Sequence, residues 1–190
     1  MSTAATGNEY GYEQNLTSVN GSTYKNIELR TDNSTNSFNS NFSWNATNGY
    51  TIGDVHTHPL GSAPSPADIF GMVKNLNNTA LQNAGAADIT FYKQNVSITV
   101  LTSGGNYVVT VKDWTQLSAT YATYKNDITA YNENYALLMS QPGGSTQAIL
   151  GLLGNAINLY KSDSNNVMKP MVLGSDGNVT EFNCNPGSVE

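Results

Sequence analysis

Gly53-Asp54-Val55-His56-Thr57-His58-Pro59, followed after a short turn by Ser65-Pro66-Ala67-Asp68, is the stretch that organises this chain. His56 and His58 are its only two histidines. On an extended strand residues i and i+2 point to the same face, so both imidazoles aim at one point. Pro59 cannot donate to a sheet ladder and ends the strand. Ser65 with Pro66 behind it is a favoured helix start, which puts Asp68 on the first turn with an oxygen to offer. Two nitrogens and one oxygen leave a fourth tetrahedral position open. That is the layout of a catalytic zinc (Zn2+) site rather than a closed structural one.

Outward from this stretch, the expected elements alternate. Gly49 to Val55 reads as the strand that delivers the histidines, and Leu60 to Pro64 as a turn. The helix from Ser65 carries an apolar stripe of Ile69, Met72, Val73 and Leu76 and runs to Ala84-Gly85. Upstream, Tyr24 to Arg30 alternates around Ile27 and Leu29 and reads as a strand. Asp32 to Asn48 reads as a long Asn- and Ser-rich loop pinned by Phe38, Phe42 and Trp44, with room for a short edge strand; such a loop is also a candidate lid. Downstream, Asp88 to Lys93 reads as a strand. Val96 to Leu101 and Tyr107 to Val111 read as a hairpin around Ser103-Gly104-Gly105. Trp114 to Met139 lacks Gly and Pro and is the longest helix candidate. Ser145 to Leu159 is a further helix, and Met171 to Phe182 a hairpin around Asp176-Gly177. The expectation is one domain over residues 9–190 behind a loose tail at 1–8. Its class is α/β or α+β, with a mixed sheet flanked by helices.

Composition narrows the function classes. The chain of 190 residues carries a net charge of −6, with only 12% charged residues and 11 Tyr. There is no Lys/Arg run, which argues against a nucleic-acid or anionic-membrane partner. The lone Cys184 allows no intrachain disulfide and has no spare histidine to activate it, so it reads as a passive thiol. No apolar run reaches transmembrane length. The first residues lack the basic and apolar regions of a signal peptide and look like the start of an excised domain. The polar, Asn- and Tyr-rich balance suits an exported or delivered protein.

Glu9-x-Gly11, His56-x-His58-Pro59 and Ser65-x-x-Asp68 together resemble the signature of the JAMM/MPN+ (JAB-domain) zinc metalloproteases, in particular the prokaryotic JAB-like and RadC-like branch. The resemblance implies a JAB/MPN-like, cytidine-deaminase-like architecture. It implies His56, His58 and Asp68 as zinc ligands, Ser65 as the oxyanion helper and Glu9 as the general base. It also implies a peptide or isopeptide substrate, a central fold from about residue 9 to 111, and later helices as an outer elaboration. Pro59 and Ser65 are five residues apart by intervening count, one fewer than the family's usual spacing. Glu13 and Glu28 are rival bases, but Glu28 sits between Ile27 and Leu29 and is expected to face solvent, and Glu13 lacks the following x-Gly. A toxin-type or secreted JAB domain suits the composition, and the parent polypeptide or a partner protein is then expected.

Competing readings attach to the same residues. Ser65, Pro66 and Asp68 also make a near capping box, in which Asp68 would be a mere cap partner. His56-x-His58 after a strand is locally similar to amidohydrolases and PHP phosphoesterases. Those barrels typically need about 200 residues or more and recruit later histidines, of which this chain has none. Asp54 is then a strand residue or a support for a ligand. Tyr121, Tyr124, Tyr131 and Tyr135 form a packing face or, alternatively, an aromatic wall for substrate. The rivals to a hydrolase are an inactive JAB-fold scaffold and a DNA-associated role, the latter disfavoured by the acidic charge.

Overall fold

A computed structural model of the chain describes residues 7–182. Its spine is β3 (Gly49–Thr57), nine residues long and buried at all but one of them. The burial follows from pairing on both sides. β1 (Gly11–Leu16) runs antiparallel to it, with Gly11 opposite His56. β4 (Ser97–Leu101) runs parallel on the other side, with Val100 opposite His56. The short β2 (Trp44–Asn45) pairs with the start of β3. Beyond β4 the sheet continues antiparallel through β5 (Tyr107–Val111), β6 (Ile157–Ser162), β7 (Met168–Leu173) and β8 (Val179–Glu181). The result is a mixed α/β fold with an eight-stranded, mostly antiparallel sheet.

Parallel strands need a crossover, and α1 (Pro66–Leu76), α2 (Thr79–Ala84) and α3 (Ala86–Asn95) supply it between β3 and β4. A second set, α4 (Trp114–Asn126), α5 (Ile128–Met139) and α6 (Gly144–Leu153), joins β5 to β6. In β4, β5 and β6 alternate residues are buried: Ile98 and Val100, Tyr107 and Val109, Ile157 and Leu159. These join Ile69, Met72, Val73 and Leu76 of α1, Leu117 of α4, and Ile149 and Leu153 of α6 in one core. The expected α1 stripe is thus wholly buried. Among the described residues no helix is long and apolar enough to cross a membrane.

Several expectations need correction. Asp88 to Lys93 is helical, within α3. Its β-branched and aromatic residues favour a strand locally, but Tyr92 alone is buried there, and tertiary contacts decide. The Tyr92 hydroxyl donates to Met72 O at 2.9 Å, its ring meets Trp44 edge-on, and Trp44 Nε1 donates to Asp88 Oδ2 at 2.8 Å. Tyr24 to Arg30 is no strand. It touches β1 through single bridges at Tyr24 and Arg30, and Ile27 and Leu29 stay exposed, so its alternation has no apolar face to bury.

Three long helices expected from the pattern are shorter or split. The first breaks at Asn77-Asn78, where the Asn78 side chain caps α2. The second breaks at Asp127, whose side chain accepts from Ala130 N and caps α5. Short polar side chains of this kind compete for backbone hydrogen bonds and favour caps over helix interiors. The third ends at Leu153, and Ile157 to Leu159 belongs to β6; a short apolar run does not tell helix from strand. Ser145 lies inside α6 rather than capping it, and its hydroxyl accepts from Ala63 N at 2.8 Å.

The two hairpins form as expected. The Asn-rich loop buries Phe38 and Trp44 and yields β2. The sheet does not stop at Val111, because β6 to β8 extend it, so the later helices are an insertion between strands. Tyr121, Tyr124 and Tyr131 ring Phe70 at 5.5, 4.8 and 5.8 Å, and Tyr135 also packs against the core. Cys184 and residues 1–6 of the expected tail lie outside the described residues.

Candidate metal centre

Three separate elements bring four side chains together. β3 carries His56 on the face of Asp54, and the chain leaving its end carries His58, whose amide donates to Leu101 O at 2.9 Å. The lead-in to β1 carries Glu9. Its backbone is fixed by Glu9 N donating to Ser34 O and by Thr31 Oγ1 donating to Glu9 O. The first turn of α1 carries Asp68.

His56 Nε2 and His58 Nε2 face each other at 3.2 Å. Asp68 reaches both, with Oδ1 3.6 Å from His56 Nε2 and Oδ2 3.5 Å from His58 Nε2. Glu9 Oε1 lies 3.8 Å from His58 Nε2. Glu9 is only 4% exposed, and both histidines are buried. The ligand atoms of Glu9, His56 and His58 lie within 4.8 Å of one another, a group that could hold a metal ion. Glu9 therefore stands within reach of an ion as well as beside the histidines.

The other nitrogen of each ring explains why these atoms converge. His56 Nδ1 lies 2.8 Å from Asp54 Oδ1, and an ionised carboxylate only accepts, so Nδ1 carries the proton. His58 Nδ1 lies 3.1 Å from the Ser62 carbonyl oxygen and 3.0 Å from Ser62 Oγ. Both rings thereby turn Nε2 toward one small space bordered by carboxylates. Such a set needs a cation between its members, either a proton or a metal. Imidazole nitrogens and carboxylate oxygens suit zinc and neighbouring transition metals alike, and the donor set does not fix the metal's identity.

The electrostatics follow from the same neighbours. Burial opposes a charged His56, yet the Asp54 and Asp68 carboxylates outweigh it and raise its pKa to about 10 in the metal-free chain. Burial also opposes a charged Asp68, but His56 and His58 hold its carboxyl far below the usual range. Glu9 is pushed up by burial, with His58 and His56 pulling partly back. Asp54 is pushed up by burial against the pull of His56.

Ser65 is the N-cap of α1, and the capping box is complete: Ser65 Oγ accepts from Asp68 N, and Ser65 N donates to Asp68 Oδ2 at 2.6 Å. Asp68 thus caps the helix and faces the histidines with the same carboxylate. The rival bases are elsewhere engaged or exposed. Glu13 pairs with Arg30 and accepts from Asn41 N; Glu28 is exposed.

Phe38 and Gly11 complete the surroundings. The Phe38 ring stacks on His56 with centroids 5.8 Å apart and an 18° tilt, and the Arg30 guanidinium lies 4.3 Å from the Phe38 centroid. A Cβ on Gly11 would come within 2.9 Å of Phe38, His56 and the Val55 carbonyl, so only glycine lets these groups close on one another. The Glu9-x-Gly11 spacing therefore has a steric cause. Ser62 and Phe38 were not singled out by the sequence as site residues. Ser62 sits four residues past His58 in a turn with no pattern to mark it, and Phe38 reads as an anchor of its loop rather than as a neighbour of the histidines. A cavity of about 290 Å³ opens from Asp54, His56, Ser65 and Asp68 over α1.

No protein-family model, no curated protein and no solved structure matches the chain.

Proposed function

We propose that this protein is a zinc-dependent hydrolase of the JAMM type that cleaves peptide or isopeptide amides. In this reading the part of the fold built from β1, β3, α1 and β4 corresponds to the JAB/MPN-like, cytidine-deaminase-like architecture. One observation carries it: Glu9, far upstream in sequence, converges with His56, His58 and Asp68 in a largely buried site.

His56 Nε2, His58 Nε2 and the Asp68 carboxylate would hold the ion. When bound, zinc supplies Lewis acidity, acidifying water and polarising a carbonyl. Glu9 Oε1 takes the proton of the attacking water and returns it to the departing amine nitrogen. Its carboxylate lies 3.8 Å from His58 Nε2, beside the space the ion and its water would occupy. Ser65 Oγ accepts from the Asp68 amide and keeps its own proton to donate to the oxyanion. Asp54 and Ser62 hold the two rings in the ligating tautomer.

The test is metal content and turnover together. Wild type should carry about one zinc per chain, lost in His56→Ala and Asp68→Ala. Glu9→Gln should retain the ion and lose about 10²- to 10⁴-fold in kcat/KM on internally quenched peptides or isopeptides. A wild type that takes up no zinc on addition overturns the reading. Zinc binding with cleavage indifferent to Glu9→Gln overturns the assignment of the base, and zinc binding without any amide cleavage leaves the scaffold alternative.

A further inference from the structure

The cavity beside Asp68 has a shape that holding a metal does not require. Besides His56 and Asp68 it is lined by the aromatic rings of Phe38, Phe70, Tyr121 and Tyr124. Gly71 of α1 lies on its lining, and a Cβ built there would meet no atom within 4 Å. A glycine inside a helix weakens it relative to alanine, and neither crowding nor a left-handed backbone calls for one at this position. What Gly71 leaves is open space between aromatic rings.

The walls of that space are held in place. Tyr121 and Tyr124 lie on Phe70, and Phe38 contacts both Arg30 and His56. A volume of about 290 Å³ lies at the small end of ligand pockets, which run from about 300 to 1,000 Å³, and suits one side chain better than a whole small molecule. Aromatic walls favour an aromatic guest in offset or edge-on contact. Lys74 at the lining disfavours a basic guest. Two other hollows, between α6 and β6–β7 and beside Glu13 and Lys25, touch none of the ligands.

We propose that this cavity is a specificity pocket that takes an aromatic side chain from a substrate residue flanking the scissile amide. The inference rests on the hydrolase reading above and gives that site a substrate class. It also assigns Tyr121 and Tyr124 to substrate as well as to packing.

Filling the pocket from its floor tests it. Matched quenched peptides carry Phe or Gly at each position flanking the scissile bond. Wild type should favour a Phe peptide by about tenfold or more. Gly71→Leu should keep its zinc and its folded circular dichroism but lose that preference, with Gly71→Ala intermediate. A Phe-to-Gly ratio near one in wild type, or a ratio unchanged in Gly71→Leu, overturns the proposal. If no peptide is cleaved, the hydrolase reading fails and the pocket is judged by binding alone. N-acetyl-tyrosine amide should then shift the NMR signals of Tyr121 and Tyr124 in wild type and not in Gly71→Leu; no shift in wild type overturns the pocket too.

Discussion

Each histidine owes its direction to the partner on its far nitrogen, and this is where single substitutions should speak most clearly. Asp54→Asn keeps the shape of the side chain but lets an amide offer either a donor or an acceptor to His56 Nδ1. Metal affinity should fall about 10- to 100-fold, measured by competition against a chromogenic chelator, with the fold retained. Protons compete with the metal for His56 Nε2. His56 is raised to about 10 without metal, so at neutral pH an entering ion must displace its proton. Affinity should therefore rise with pH, by about tenfold between pH 6.5 and 7.5 for one proton released, and calorimetry in two buffers should show that proton. At this scale the sequence was informative because a strand's two-residue repeat makes His56 and His58 neighbours without any tertiary knowledge. Asp54, one more step along the same face, was legible for the same reason. Ser62 and Phe38 were not, since their roles arise from a turn and a loop whose paths no periodicity encodes.

Elements were legible where their residues must bury one face and illegible where caps or distant contacts decide. The α1 stripe and the β4–β5 hairpin follow from apolar spacing and turn residues. The breaks at Asn78 and Asp127 do not, because an Asn or Asp inside a helical pattern gives no sign of whether it will cap. Asp127 ends α4 and starts α5, and the tyrosine ring around Phe70 draws on both helices. Asp127→Ala should cost about 1 kcal/mol, read as a lower urea midpoint with unchanged slope. Metal content should be unaffected, because none of the ligands lies on these helices. The misread α3 makes the same point in reverse: its residues prefer a strand, and Tyr92 overrules them by inserting between Trp44 and Met72.

For the molecule as a whole, the candidate centre joins the start of β1, the end of β3 and the start of α1. An ion bound only by the folded chain stabilises it by about 4 kcal/mol at a free concentration 1,000 times Kd. At about 2–4 °C per kcal/mol for a chain of this size, Tm should rise by roughly 8–16 °C on adding zinc and fall back with a chelator. Scanning calorimetry at fixed pH checks it, and the rise should vanish in His58→Ala. Glu9 stands apart from the other three in how it is held. It precedes a strand that pairs along its length only with β3 and whose other edge meets the rest of the chain through two single bridges, a few further hydrogen bonds and the Glu13–Arg30 ion pair. Hydrogen exchange should thus find the amides around Glu9 opening more often than those of His56, at the border of the sheet where fraying is cheapest. In the hydrolase reading, His56, His58 and Asp68 would keep the ion through such openings while Glu9 leaves and returns. Turnover would then track the fraction of time that this border is closed, which makes the first strand a throttle on the chemistry rather than a mere wall of the site.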